Sequence, residues 1–159
     1  MKNGWSFWIF MAILVVLHFV LHLSLGLGRS APDLLTLAVL LGARQFHGPG
    51  AAALGFGLGL LEDAVSVGAF GAAAMTQTVV GYLGARSRDL FVGESLLFLV
   101  LYLFLGKWLH DALYYLIAPA VRRGEPVLAL LVDAPLAALY VAAVGFVAIL
   151  AYRSLARVL

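Results

Sequence analysis

Trp5-Ser-Phe-Trp8-Ile-Phe-Met-Ala-Ile-Leu-Val-Val-Leu-His18-Phe-Val-Leu-His22-Leu-Ser-Leu-Gly-Leu27 is a run of 23 residues without one Asp, Glu, Lys or Arg. A helix needs about 20 apolar residues to cross a hydrocarbon core of about 30 Å. This stretch is therefore long enough to span a membrane by itself. Lys2 precedes it, which gives it the charge order of a secretory leader. Its length exceeds the roughly 7–15 residues of a leader's apolar core, and no A-x-A-like site stands before Arg29, so it is expected to be a retained membrane helix.

The rest of the chain has the same character. Five further apolar segments follow, at 32–43, 49–61, 64–85, 92–117 and 126–152. Hydrophobic residues make up 64% of the 159 residues and charged ones 11%, with a mean hydropathy of +1.06. Soluble domains carry about 25% charged residues. The composition excludes a water-soluble enzyme, a nucleic-acid-binding domain and a disordered chain. It leaves one integral membrane domain over 1–159, embedded in a lipid bilayer, with no nucleic-acid partner. Without cysteine there is no disulfide, thiolate metal site or cysteine nucleophile.

The runs are continuous rather than alternating, so they predict helices and an all-α fold of about six transmembrane helices. Segments 5–27, 64–85, 92–117 and 126–152 are long enough to span. Segments 32–43 and 49–61 are short, and are tolerable in a membrane only if protein or water covers their ends. Pro32, Pro49 and Pro126 stand at segment starts, where proline disturbs a helix least. Six passes put both termini on one side. That side carries Lys2, Arg44, Arg86, Arg88, Arg153 and Arg157, against Arg29, Arg122 and Arg123 opposite. Lys and Arg favour cytoplasmic loops, so both termini are expected in the cytoplasm. Trp5, Trp8, Trp108, Tyr114, Tyr115 and Tyr152 suit interfacial anchors.

Three groups of residues are candidates for function. Ala51, Gly55 and Gly59 repeat at four-residue spacing on one helix face, where small side chains let another helix approach, either within the fold or from a partner. Glu62 and Asp63 end that segment; either Asp63 accepts a backbone N–H of the following helix, or the pair makes a polar contact with a partner or ligand. Asp33, after Pro32, suits a helix N-terminus, where the dipole favours a carboxylate. The third group is Lys107, His110, Asp111 and Asp133. Counted from the intervening loop, Lys107 and Asp111 lie roughly 15 and 9 Å deep and Asp133 roughly 10 Å, at 1.5 Å per residue. Charges at such depth should turn inward and pair. Either an ion pair tying the last two helices or a ligand pocket fits. His18 and His22 are four apart, but zinc needs a third protein ligand, so packing is the expected role and no metal or cofactor is expected. No nucleophile elbow is present. An aspartyl pair among Asp63, Asp111 and Asp133 has no spacing to support it, so the chain is expected not to be an enzyme.

The order Pro32-Asp33-Leu-Leu, Arg44, Gly55-x-x-x-Gly59-Leu-Leu-Glu62-Asp63, Gly68-x-x-Gly71 and Val79-Val80-Gly81-Tyr82-Leu83 resembles the MreD family. These are small integral membrane proteins of the bacterial rod-shape, or elongation, machinery. The motifs cover roughly residues 5–88, and the remainder resembles the family in hydropathy. The resemblance implies a non-enzymatic scaffold in the bacterial inner (cytoplasmic) membrane. Its direct partner would be a single-span MreC-like protein. Through it the chain would connect MreB filaments to peptidoglycan synthesis by RodA and a class B penicillin-binding protein. It also implies a fold like the substrate-binding subunits of energy-coupling-factor transporters. A small-molecule-binding transporter subunit is accordingly the alternative function.

Overall fold

The computed structural model describes residues 4–24, 31–66, 69–87, 96–118 and 126–155. Every regular element among them is helical. Helix α1, Gly4–Phe19, runs into a π-type turn at Val20–Ser24. Helices α2 (Leu34–Ala43), α3 (Gly48–Val65), α4 (Ala72–Ser87) and α5 (Leu96–Ile117) follow. A single turn, α6 (Pro126–Leu128), passes through a second π-type turn, Ala129–Asp133, into α7 (Ala134–Leu155). Lys2, Arg29, Gly68, Arg88, Arg122, Arg123 and Arg157, used in the orientation and motif readings, lie outside the described residues.

Three stretches are long and apolar enough to cross a membrane: Trp5–His22, Leu96–Ile117 and Ala129–Ser154. They mark a membrane protein. The fourth long span expected over 64–85 is divided instead. Helix α3 continues to Val65 and closes where the Ser66 N–H donates to the Glu62 carbonyl. The chain then turns through Gly71, whose φ of +91° is open to glycine and strained for other residues. Helix α4 starts at Ala72 and has 16 residues. The apolar run hides this break because Ala69, Phe70 and Gly71, which lead into α4, are all uncharged.

All ten residues of α2 are buried. Helices α1, α3, α4, α5 and α7 surround it. The helix is only about 15 Å long, and its neighbours shield every one of its ten residues, with the chain emerging at Arg44. Contacts between early residues of one helix and late residues of the next show that neighbours run antiparallel. Ala51 meets Gly81 while Gly59 meets Ala74, and the Tyr102 hydroxyl donates to the Leu40 carbonyl at 2.8 Å while Lys107 reaches Asp33.

Lipid tails are as apolar as leucine, so burial from lipid gives little drive by itself and close packing holds such a bundle together. Glycines supply the close approach. A Cβ on Gly145 would meet the δ-carbons of Leu103 and Leu37 at 2.7 Å, so α7 rests on leucines of α5 and α2. Leu40 of α2 fills the notch at Gly106 of α5 in the same way. Between α3 and α4 the backbones themselves touch: Gly55 faces the Gln77 carbonyl and Gly81 the Ala51 carbonyl.

Candidate functional site

The polar residues gather where α1 and α3 finish and α2 and α4 begin, against the middle of α5. Asp33 caps α2, accepting the Thr36 N–H at 3.0 Å and the Thr36 hydroxyl at 2.6 Å. This satisfies one of the four N–H groups a helix start leaves open. The same carboxylate accepts from Lys107 Nζ at 2.7 Å. Lys107 also donates to Asp111 at 2.8 Å, one turn along α5. One ammonium thus lies between two carboxylates from different helices, with Lys107 and Asp111 both buried. Removing one member of such a group strands a charge in a low-dielectric interior, so the trio locks α2 to α5.

Further groups surround it. The Leu35 N–H donates to His18 Nδ1 at 3.3 Å. That bond requires an unprotonated Nδ1, so the 3.8 Å separation between this atom and Asp33 is an approach and not a charged pair. His18 stacks on His22 at 4.2 Å, and His22 Nδ1 lies 3.0 Å from the His18 carbonyl. Gln77 of α4 donates from Nε2 to the Thr36 hydroxyl at 3.0 Å and toward Glu62 at 3.5 Å. Thr36 gives its only proton to Asp33, so it must accept from Gln77, and this fixes the orientation of the amide. Gln77 Oε1 and His110 Nε2 are left buried without a hydrogen-bond partner among the described residues. His110 Nδ1 stands 3.3 Å from Asp111.

Of the four residues expected as an intramembrane cluster, Lys107, His110 and Asp111 come together. Asp133 does not join them. It ends the π-type turn before α7, and its side chain is exposed. Asp33 takes the place expected of Asp133. The link that sequence reasoning misses is therefore between α2 and α5, 74 residues apart. Depth counting would not have found it: Asp33 stands at the very start of segment 32–43 whereas Lys107 counts as roughly 15 Å deep, and the two meet because α2 starts against the middle of α5. Thr36 and Gln77 give no signal either, being ordinary residues within helices.

The other group is also placed. Ala51, Gly55 and Gly59 are buried against α4, so that face is internal packing. The carboxylate of Asp63 accepts the Ala73 and Ala74 N–H groups at 3.1 and 2.9 Å, capping α4 from the end of α3. Gly71 forms the turn between them, with open space where a Cβ would stand. Asp63, Asp111 and Asp133 serve different surroundings: a helix cap, an ion pair and an exposed position. The opposite face of α3 is open. Gly50, Ala53, Phe56, Gly57, Leu61 and Ala64 are exposed, and a Cβ on Gly57 would meet nothing within 4 Å.

The chain matches no protein-family model, no curated protein and no solved structure.

Proposed function

We propose that the chain is a non-enzymatic membrane scaffold of the MreD type, embedded through all six helical segments with both termini in the bacterial cytoplasm. In this reading α1, α5 and the π–α7 stretch span alone, and α2, α3 and α4 cross in their shelter. The order of short motifs from Pro32 to Leu83 supports the family reading. One structural observation supports the scaffold role. Helix α3 has small residues on two faces; α4 consumes one, and the other, with Gly57 at its centre, is open. Small residues facing lipid admit a partner helix at close range. An MreC-like protein, with its single membrane helix, is the partner this face would receive. Through it the chain would join MreB filaments to RodA and its penicillin-binding protein.

The test is co-purification of an MreC-like protein with the wild type and with Gly57→Leu. Gly57 is exposed and a Cβ there meets nothing within 4 Å, so the variant should stay folded and lose the partner. Full recovery of the partner by a folded Gly57→Leu protein would remove this face from the interface. A stoichiometric vitamin-sized ligand in native mass spectrometry of the purified protein would favour the transporter-subunit reading instead.

A further inference from the structure

The polar centre has more negative groups than positive ones. Asp33 and Asp111 share the single ammonium of Lys107, which leaves that trio one negative charge in excess. His18 supplies no proton toward it, because its Nδ1 accepts the Leu35 N–H. Glu62 adds a third carboxyl. Asp33, Lys107 and His110 all act on it electrostatically. Its one hydrogen-bond contact among the described residues is the Gln77 amide at 3.5 Å. An ionised Glu62 would raise the excess in a region poorly able to hold charge.

The Gln77 amide shows the same shortage from the other side. Thr36 fixes Nε2, so Oε1 is a buried acceptor that lacks a donor, on a side chain that is fully buried. Glu62 already contacts this amide. An ionised carboxylate only accepts, whereas a protonated one has an O–H to give. A protonated Glu62 would return an O–H to Gln77 Oε1 while accepting from Nε2, the paired arrangement of a carboxylic acid with a primary amide.

We propose that Glu62 is a proton-binding site: in the folded protein its carboxyl carries an exchangeable proton and pairs as a neutral acid with the Gln77 amide. The proton comes from water at the polar centre, where Glu62 is half-buried and the Asp33 side chain is 16% exposed. Uptake forms an O–H bond on Glu62 and removes one negative charge; release reverses both. The groups that act on Glu62 are Asp33 from α2, the uncharged Gln77 from α4, and Lys107 and His110 from α5, with Asp111 of α5 bound to Lys107. Asp63, its neighbour on α3, is committed to the N–H groups of α4. Asp133, ahead of α7, is exposed; His18 of α1 lies 3.8 Å from Asp33, and His22, in the turn after α1, stacks on His18. This inference is independent of the scaffold reading.

Infrared difference spectroscopy of the full chain in lipid nanodiscs tests it. The wild type at neutral pH should show the C=O stretch of a protonated carboxylic acid, moving in heavy water and lost in Glu62→Gln. Absence of such a band, or its persistence in a folded Glu62→Gln protein, would overturn the proposal. Carbodiimide labelling of the wild type needs no variant, since the reagent adds to a protonated carboxyl. Modification is expected at Glu62 and not at Asp33 or Asp111; the opposite pattern refutes the assignment.

Discussion

Gly59→Ala is a severe test of the α3–α4 contact, because it adds one methyl group at a place with no room. The new Cβ would stand 2.5 Å from Ala74 Cα, 2.6 Å from the Ala73 carbonyl oxygen and 2.7 Å from Ala74 N. All three are backbone atoms and cannot rotate aside. Moving from 2.5 Å to the 3.4 Å at which ordinary contact begins requires α4 to retreat by about 0.9 Å. Ala73 and Ala74 also give their N–H groups to Asp63 at 3.1 and 2.9 Å. A retreat of that size stretches both bonds beyond useful length. Overpacking costs about 1–3 kcal/mol, and each hydrogen bond to a charged group is worth about 1.5–3 kcal/mol. These terms overlap, so the expected loss of stability is about 3 kcal/mol. Unfolding in mixed micelles, followed by circular dichroism across a detergent titration, gives the measurement. Gly57→Ala is the internal control, since nothing lies within 4 Å of its Cβ. There the better helix propensity of alanine, about 1 kcal/mol, is free to show. If Gly59→Ala unfolds within about 0.5 kcal/mol of Gly57→Ala, the backbone contact does not hold the pair together and the reasoning fails.

Two further outcomes use the same assay. Lys107→Met leaves Asp33 and Asp111 facing each other without a cation and should cost about 3–5 kcal/mol, with part regained when Asp111→Asn is added; a loss below about 1 kcal/mol would show that the ion trio does not hold α2 to α5. Tyr102→Phe removes the bond to the Leu40 carbonyl and should cost about 1 kcal/mol, whereas an unchanged midpoint would mean that this carbonyl finds another donor.

Helical class and the approximate limits of most segments are legible in the sequence because an unbroken apolar run in a membrane protein has few alternatives. The capping roles of Asp33 and Asp63 are legible too, since carboxylates beside helix starts have a local reason to be there. The break between α3 and α4 is not. It is made by Gly71 and by a carboxylate acting across the turn, and hydropathy is blind to both. Pairing Lys107 with Asp133 is reasonable from depth alone, but depth does not tell which way a side chain turns about its helix. The π-type turn at 129–133 ends at Asp133, whose side chain is exposed, and α2 brings Asp33 to the lysine instead. The two faces of α3 are likewise indistinguishable in a sequence rich in glycine and alanine. Only the position of α4 separates the inner face from the outer one.

Helix α2, enclosed on every side, has no direct contact with the solvent the rest of the molecule lives in. Membranes of different thickness tilt or compress the helices that touch them. The outer helices α1, α5 and α7 would feel such a change; α2 would feel it through its contacts with its neighbours, among them Asp33–Lys107 and Leu35–His18 near one end, Leu37–Gly145 along its length and Tyr102–Leu40 toward the other. A ten-residue rod held along its whole length by longer neighbours moves only as they move. Bilayer composition therefore acts on the centre of this molecule through its perimeter.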